Sequence, residues 1–282
     1  MTAHESNEAQ VNFWEAAGPV WKKEQEQLDA QISPHGSKAI EVLAPLAGET
    51  IIDVGCGTGT STFQIAEEVG NGGRVIGCDI SSTMVDAARG RAASLGVSNV
   101  EFVAADAHTH AFAGDADAVY SRFGVMFFGD PKGAFVNIRT ALKPGGRLCF
   151  VCWQPPTLNP WVTAPLEAAR KHVELPFGND PRSPGPFAFA DSAWVREVLD
   201  GGGFADVNLE PFEAQADLGP DIDAAVQFVM GINPATAGIA DRDPEKAKAL
   251  FADVADALRP YLTDKGVQTA SATWLVTATN AG

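Results

Sequence analysis

The chain has 282 residues, 45% of them hydrophobic, enough to fill the core of one large α/β domain. Its 36 acidic residues outnumber 20 lysines and arginines for a formal net charge of −16. That balance excludes a partner gripped through phosphates, because nucleic-acid binding draws its affinity from cations. The start, MTAHESNEAQVNFWEAAG, lacks a basic segment leading into an apolar run. No stretch approaches the roughly 18 apolar residues of a membrane span, so a small-molecule protein of the cytoplasm is expected.

In chain order, the first candidate element is the amphipathic stretch VNFWEAAGPVWKKEQEQL, broken at Gly18-Pro19 with Trp14 and Trp21 on either side. It reads as a helical N-terminal lid over 1–45, of which 1–32 would close over a bound ligand. TIIDV (50–54) reads as a strand, followed by a helix near 61–69 in which Ser61 and Gln64 fit a capping box. RVIGCD (74–79) is the second strand, SSTM (81–84) opens a helix that ends before Gly96, and VEFVAAD (100–106) is the third strand. ADAVYS (116–121) is the fourth. Asp130-Pro131 starts a helix with proline at its first position, and KPGG (143–146) turns it into a fifth strand over 147–153. Strands that are apolar nearly throughout and separated by crossover helices predict a doubly wound, Rossmann-like α/β sheet covered on both faces. Seven strands are expected, mostly parallel with the last antiparallel.

After residue 153 the rhythm changes. The Pro-rich run QPPTLNPWVTAP…LPFGNDPRSPGPF does not continue the strand-helix alternation. One domain over 1–282 is therefore divided into the lid at 1–45, a core at 46–153 and cap insertions at 154–191 and 218–266. Residues 192–217 and 267–282 complete the sheet, with a helix at 192–200, a sixth strand around 205–212 and a last strand VQTASATWLVTATN.

The four cysteines are Cys56, Cys78, Cys149 and Cys152. Cys149 and Cys152 lie three apart in one predicted strand, so their side chains point to opposite faces and share neither a disulfide nor a metal. No metal site is expected. The turn DVGCGTG after the first strand carries Gly55, Gly57 and Gly59, and ligands bind at such strand ends in open α/β sheets. It does not complete G-x-G-x-x-G, because Thr60 or Thr62 falls where the third glycine of a dinucleotide turn belongs. Acidic residues mark three strands: Asp53 in the first, Asp79 and Asp106 at the ends of the second and third.

The ordered motifs DVGCGTG, GCDIS, AAD and LKPGG, over roughly 45–153, resemble the class I S-adenosylmethionine-dependent methyltransferases. Among these the chain is most similar to the quinone-biosynthesis C-methyltransferases and related small-molecule enzymes. The resemblance implies S-adenosylmethionine as cofactor and S-adenosylhomocysteine as product. It places Gly55, Cys56, Gly57 and Gly59 under the cofactor's methionine portion with Asp53 near the amino group, and Asp79 on the ribose hydroxyls. Ile80 and Met84 would flank the adenine, Asp106 and Ala107 would bind its edge, and Ser121 joins the cofactor-contacting set. A carboxylate accepting from two vicinal hydroxyls suits that ribose role, at about 1.5–3 kcal/mol per charge-assisted bond.

The fourth strand ends in Ser121-Arg122-Phe123-Gly124 and not in the Pro-Pro-aromatic element of DNA and protein amide methyltransferases. A small, apolar or aromatic acceptor is therefore expected, lined by Trp14, Trp21, Arg122, Phe123, Phe127 and Trp153. Further aromatics, Phe128, Trp161, Phe187 and Phe189, fall in the same regions. Methyl transfer by in-line attack needs mainly proximity and orientation. His4, His35, His108, His110 and His172 are the histidines that could serve as a base, His108 and Arg122 are the candidates singled out, and no catalytic residue is assigned. The alternatives are another transferase of the same fold, of the aminopropyl type, or a non-catalytic protein that binds the cofactor. A homodimer is left open.

Overall fold

β1 (Thr50–Val54) lies at the middle of the sheet, where residues from Ile51 to Val54 are all buried. A strand apolar on both faces fits only between two layers of helices. The structure is a computed structural model that describes residues 9–15, 18, 25–173, 180–232, 236 and 239–282. His4 and Trp21 lie outside them.

The remaining strands are β2 (Arg74–Asp79), β3 (Val100–Ala104), β4 (Ala116–Arg122), β5 (Leu142–Trp153), β6 (Ala205–Gly219), β7 (Leu262–Thr263) and β8 (Gly266–Thr279). They form one sheet in the order β3-β2-β1-β4-β5-β8-β6, with the two-residue β7 paired to β8. Strands β1 to β5 pair in parallel, and β8 runs antiparallel between β5 and β6. The chain moves outward from β1 through β2 to β3 and then returns to β4 on the other side. This reversal places the switch point of the strand order at the carboxyl ends of β1 and β4, where ligands of such sheets bind.

One face is covered by α1 (Gln25–Leu43), α2 (Thr60–Val69) and α3 (Ser82–Leu95), the other by α4 (Pro131–Ala141) and α6 (Ser192–Gly201). Alternation along β5 assigns its side chains to these layers. The Cys149 thiol reaches the Ala39 carbonyl of α1, whereas Cys152 reaches the Phe189 carbonyl on the opposite face. The two cysteines are thus separated by the sheet, as strand geometry requires. On the α4 side Phe135 meets the rings of Phe128, Phe150, Phe189 and Phe204. Burying rings of this kind contributes about 1.5–3 kcal/mol each. A second apolar cluster joins α5 (Pro160–Ala169), α7 (Ile222–Gly231) and α9 (Pro244–Leu258) to Leu218 and Val267 of the sheet. The short α8 (Ile239–Arg242) packs on α9.

Five expectations are corrected. No capping box starts α2: its N-cap is Gly59 in left-handed conformation with no side-chain cap, and the Ser61 hydroxyl turns to Asp53 instead. β3 stops at Ala104, so Asp106 lies in the following turn, where its carbonyl accepts from the Thr109 and His110 N–H groups. β5 begins at Leu142 rather than 147, because Leu142 pairs with Ala116 across a register shift that absorbs the KPGG segment. β6 runs on to Gly219, held by the equally long β8. With β7 the sheet has eight strands rather than seven.

Candidate active site

Gly55, Gly57 and Gly59 have φ of 71°, 54° and 90°, the left-handed region that costs other residues roughly 1–2 kcal/mol. At Gly55 space is also limiting: a Cβ there would stand 2.7 Å from the Gly124 Cα. The turn after β1 and the loop after β4 touch backbone to backbone at this point. Ser121 fastens the same junction, donating its hydroxyl to the Val54 carbonyl at 2.7 Å and accepting from the Gly124 N–H at 3.2 Å. Cys56 turns its thiol into the core with Phe102 and Val85, where burial pushes its pKa well up. Only its backbone faces the turn's contents.

Asp79 locks the turn from β2. One carboxylate oxygen accepts from the Gly57 N–H at 2.8 Å and the other from the Ser81 N–H at 2.9 Å. Burial raises its pKa against these bonds. Ser81, not Asp79, caps α3, accepting from the Met84 N–H. The Ile80 N–H also favours the charged form, and the carboxylate, with about four acceptor sites, keeps room for a further donor. Met84 is buried and its Cε lies near Gly57, while Ile80 is half-buried.

Asp53 is fully buried. Its Oδ2 accepts from the hydroxyls of Ser61 at 2.8 Å and Thr62 at 2.7 Å, and its Oδ1 has no partner among the described residues. Desolvation pushes the carboxyl up to about 6, against the pull of the two hydroxyls and Arg122. A buried carboxylate oxygen without a donor is rare and fits a donor carried by a ligand.

After β3, the Asp106 carboxylate accepts from the His108 N–H at 2.9 Å, and the buried Ala107 gives its carbonyl to the Asn137 amide. The His108 ring faces Asp130 at the start of α4, 3.9 Å from its carboxylate. Arg122 forms a 2.7 Å ion pair with Asp29 of α1, both side chains largely buried. Its guanidinium is committed to holding α1 against β4.

Phe123 has φ of 62°, a strained setting for an aromatic residue and one that clusters at functional sites. Its ring stacks on Trp153 at 4.2 Å and 15°, and Trp153 meets Trp161 at 4.9 Å. Trp14 lies edge-on to Phe127 at 4.8 Å. Phe128 and Phe189 pack round Phe135 on the far face, Phe189 buried in the core and Phe128 half-buried against it. Beside Trp14, Glu15 accepts from the Ser82 N–H and hydroxyl and from the Thr83 hydroxyl, at 2.6, 2.9 and 2.7 Å. Residues 9–15 are helical, and this short segment touches both the first turn of α3, through Glu15, and Phe127 after β4, through Trp14.

Three positions, Thr62, Glu15 and Asp29, carry weight here that the sequence reading missed. Thr62 and Glu15 are joined above; Asp29 also accepts from the Thr60 hydroxyl at 2.8 Å. His35, fully buried, bridges Thr273 at 2.9 Å and Ser271 at 2.7 Å and sits edge-on to Trp153 and Phe123. Burial lowers its pKa to about 4, so the ring is neutral. No local pattern flags a contact such as Glu15 to Ser82, 67 residues apart. Among the described residues no three His, Cys, Asp or Glu side chains are grouped to hold a metal ion, and no helix is long and apolar enough to cross a membrane.

Residues 46–171 match a protein-family profile described as a methyltransferase domain. Aklanonic acid methyltransferase DauC of Streptomyces sp. (strain C5) is 36% identical over 119 residues, 42% of this chain and 54% of that protein. A demethylmenaquinone methyltransferase of Lactococcus lactis subsp. lactis (strain IL1403) is 34% identical over 142 residues, 50% of this chain and 56% of that protein. The chain thus spans about half the length of the curated relatives it matches. The crystal structure of the YcgJ protein from Bacillus subtilis superposes with a TM-score of 0.57 at 19% identity, covering 86% of this chain and 97% of that one. That likeness establishes the fold.

Proposed function

We infer that residues 46–171, which match a methyltransferase-domain profile, bind S-adenosylmethionine and that the chain transfers its methyl group to a small apolar or aromatic acceptor. The observation that carries the cofactor assignment is the orphaned Oδ1 of buried Asp53 beside a glycine turn already locked by Asp79. An ammonium group supplies the donor that Oδ1 lacks, and vicinal hydroxyls suit the remaining acceptor capacity of Asp79. Met84 and Ile80 offer an apolar wall for an adenine, with Asp106 and Ala107 at its edge. The bound cofactor supplies an electrophilic methyl on a sulfonium.

The chain's own residues then have to hold an acceptor in line and exclude water. The stacked Phe123 and Trp153, with Trp161, supply an aromatic platform, and Trp14 on Phe127 supplies a wall from the N-terminal segment. Orientation of this kind is worth up to about 7–11 kcal/mol in favourable systems. Arg122 serves as a positioning group through Asp29, and His108 stands near the adenine end, so no general base is assigned. The N-terminal segment acts as a lid, latched by Glu15 to the start of α3.

Incubation with methyl-labelled S-adenosylmethionine and a panel of phenols, quinols and their carboxylated analogues tests the assignment. Label transfer to at least one aromatic acceptor is expected, with KM for it raised in Phe123→Ala. Cofactor binding without turnover across the panel would contradict the enzymatic reading and favour a binding protein.

A further inference from the structure

The structure assigns Arg91 of α3 a positioning role in cofactor binding: it holds the Thr58 carbonyl and so fixes the peptide plane at the centre of the glycine turn. This rests on the cofactor site proposed above. One Arg91 nitrogen donates to the Thr58 carbonyl at 2.7 Å, with the hydroxyls of Thr58 and Thr60 at 3.1 and 3.0 Å. Its guanidinium also lies 5.2 Å from the centre of the Phe63 ring. Thr58 is buried and stands between two left-handed glycines, Gly57 and Gly59.

A buried carbonyl has to be paired, and here the pairing comes from a side chain. The Thr58–Gly59 peptide is followed by glycine, for which both signs of φ are open. Only partners keep that plane from turning over. On the N–H side Gly59 donates to the Cys56 carbonyl at 2.9 Å; on the carbonyl side the partner is Arg91. Thr60 extends the brace, since its hydroxyl donates to Asp29, which in turn accepts from Arg122. The chain Arg91–Thr60–Asp29–Arg122 thus ties α3, the glycine turn, α1 and β4 together. Arg91 acts through the turn and touches no cofactor atom.

Arg91→Met keeps the stem over Phe63 and removes the hydrogen bonds, and Arg91→Lys keeps the charge with a single point donor. In the ligand-free protein, amide exchange at Gly59 and Thr60 is expected to quicken about tenfold in Arg91→Met with circular dichroism unchanged. The Kd for S-adenosylhomocysteine should rise about tenfold, and KM for S-adenosylmethionine with it, with a smaller effect on kcat. Arg91→Lys should recover part of both. Faster exchange with unchanged Kd, or a weaker Kd with unchanged exchange, would each overturn the positioning role. If the wild-type protein bound neither adenosyl ligand, the proposed function would fall, and unchanged exchange in Arg91→Met would separately remove the brace.

Discussion

Asp79→Asn separates the two tasks given to that side chain. In the free protein the carboxylate accepts one N–H on each oxygen, from Gly57 at 2.8 Å and Ser81 at 2.9 Å. Asparagine offers one oxygen and turns an NH2 group toward the second N–H, so one bond to a charged acceptor is lost, worth about 1.5–3 kcal/mol. Part returns because a buried charge is removed, as the raised pKa of Asp79 indicates. The net loss is about 1–2 kcal/mol, which lowers Tm by roughly 3–6 °C in a protein near this size. Cofactor binding loses one of two ribose hydroxyl bonds, again about 1.5–3 kcal/mol, or roughly 10- to 150-fold in Kd. Thermal denaturation and calorimetric titration with S-adenosylhomocysteine read the two effects on one sample. A lowered Tm with unchanged Kd would refute the ribose role and leave Asp79 as a lock on the turn alone.

Two buried groups give opposite pH dependences. Asp53, raised from 3.8 to about 6, binds its proton more tightly in the fold, so its contribution to stability is full below pH 3.8 and is lost as pH rises through 6. His35, lowered from 6.5 to about 4, contributes above pH 6.5 and loses that contribution as pH falls through 4. Urea denaturation between pH 4 and 7 should therefore show a steeper acid loss in Asp53→Asn and a shallower one in His35→Gln than in wild type; matching slopes would contradict both assignments. Gly124→Ala places a Cβ 2.8 Å from the Val54 carbonyl and 2.9 Å from the Gly55 Cα, so it should destabilise by about 1–3 kcal/mol in denaturant and weaken S-adenosylhomocysteine binding together. Glu15→Ala removes all three bonds to Ser82 and Thr83, and hydrogen exchange over 9–15 should then no longer gain protection when S-adenosylhomocysteine binds. Retained protection would show that Glu15 is not the latch.

The sheet was legible because its parallel strands each carry an apolar run, followed closely by glycine, aspartate or proline signals that belong to local chemistry. The helix starts at SSTM and Asp130-Pro131 followed from the same rules and stand where expected. The Ser61 capping box failed because a buried carboxylate eight residues earlier competes for that hydroxyl, and Asp53 wins it at 2.8 Å. Strand ends failed where a partner far along the chain decides them: β6 is long because β8 is long. In the candidate site, the glycines and acidic residues were readable as a motif, whereas what holds them was not. Arg91 reaching Thr58, Asp29 reaching Thr60 and Arg122, and His35 bridging β8 are contacts between elements that only folding brings together. Arg122 illustrates the limit: its place after the fourth strand suggested a ligand contact or a structural salt bridge, and only the fold supplies the partner of its 2.7 Å ion pair, Asp29.

Calorimetric titration of the purified protein with S-adenosylhomocysteine and, separately, with NAD tests the central claim most directly. The account predicts one-site binding of S-adenosylhomocysteine, weakened in Asp79→Asn, and no heat with NAD; NAD binding without any response to the adenosyl ligand would contradict it.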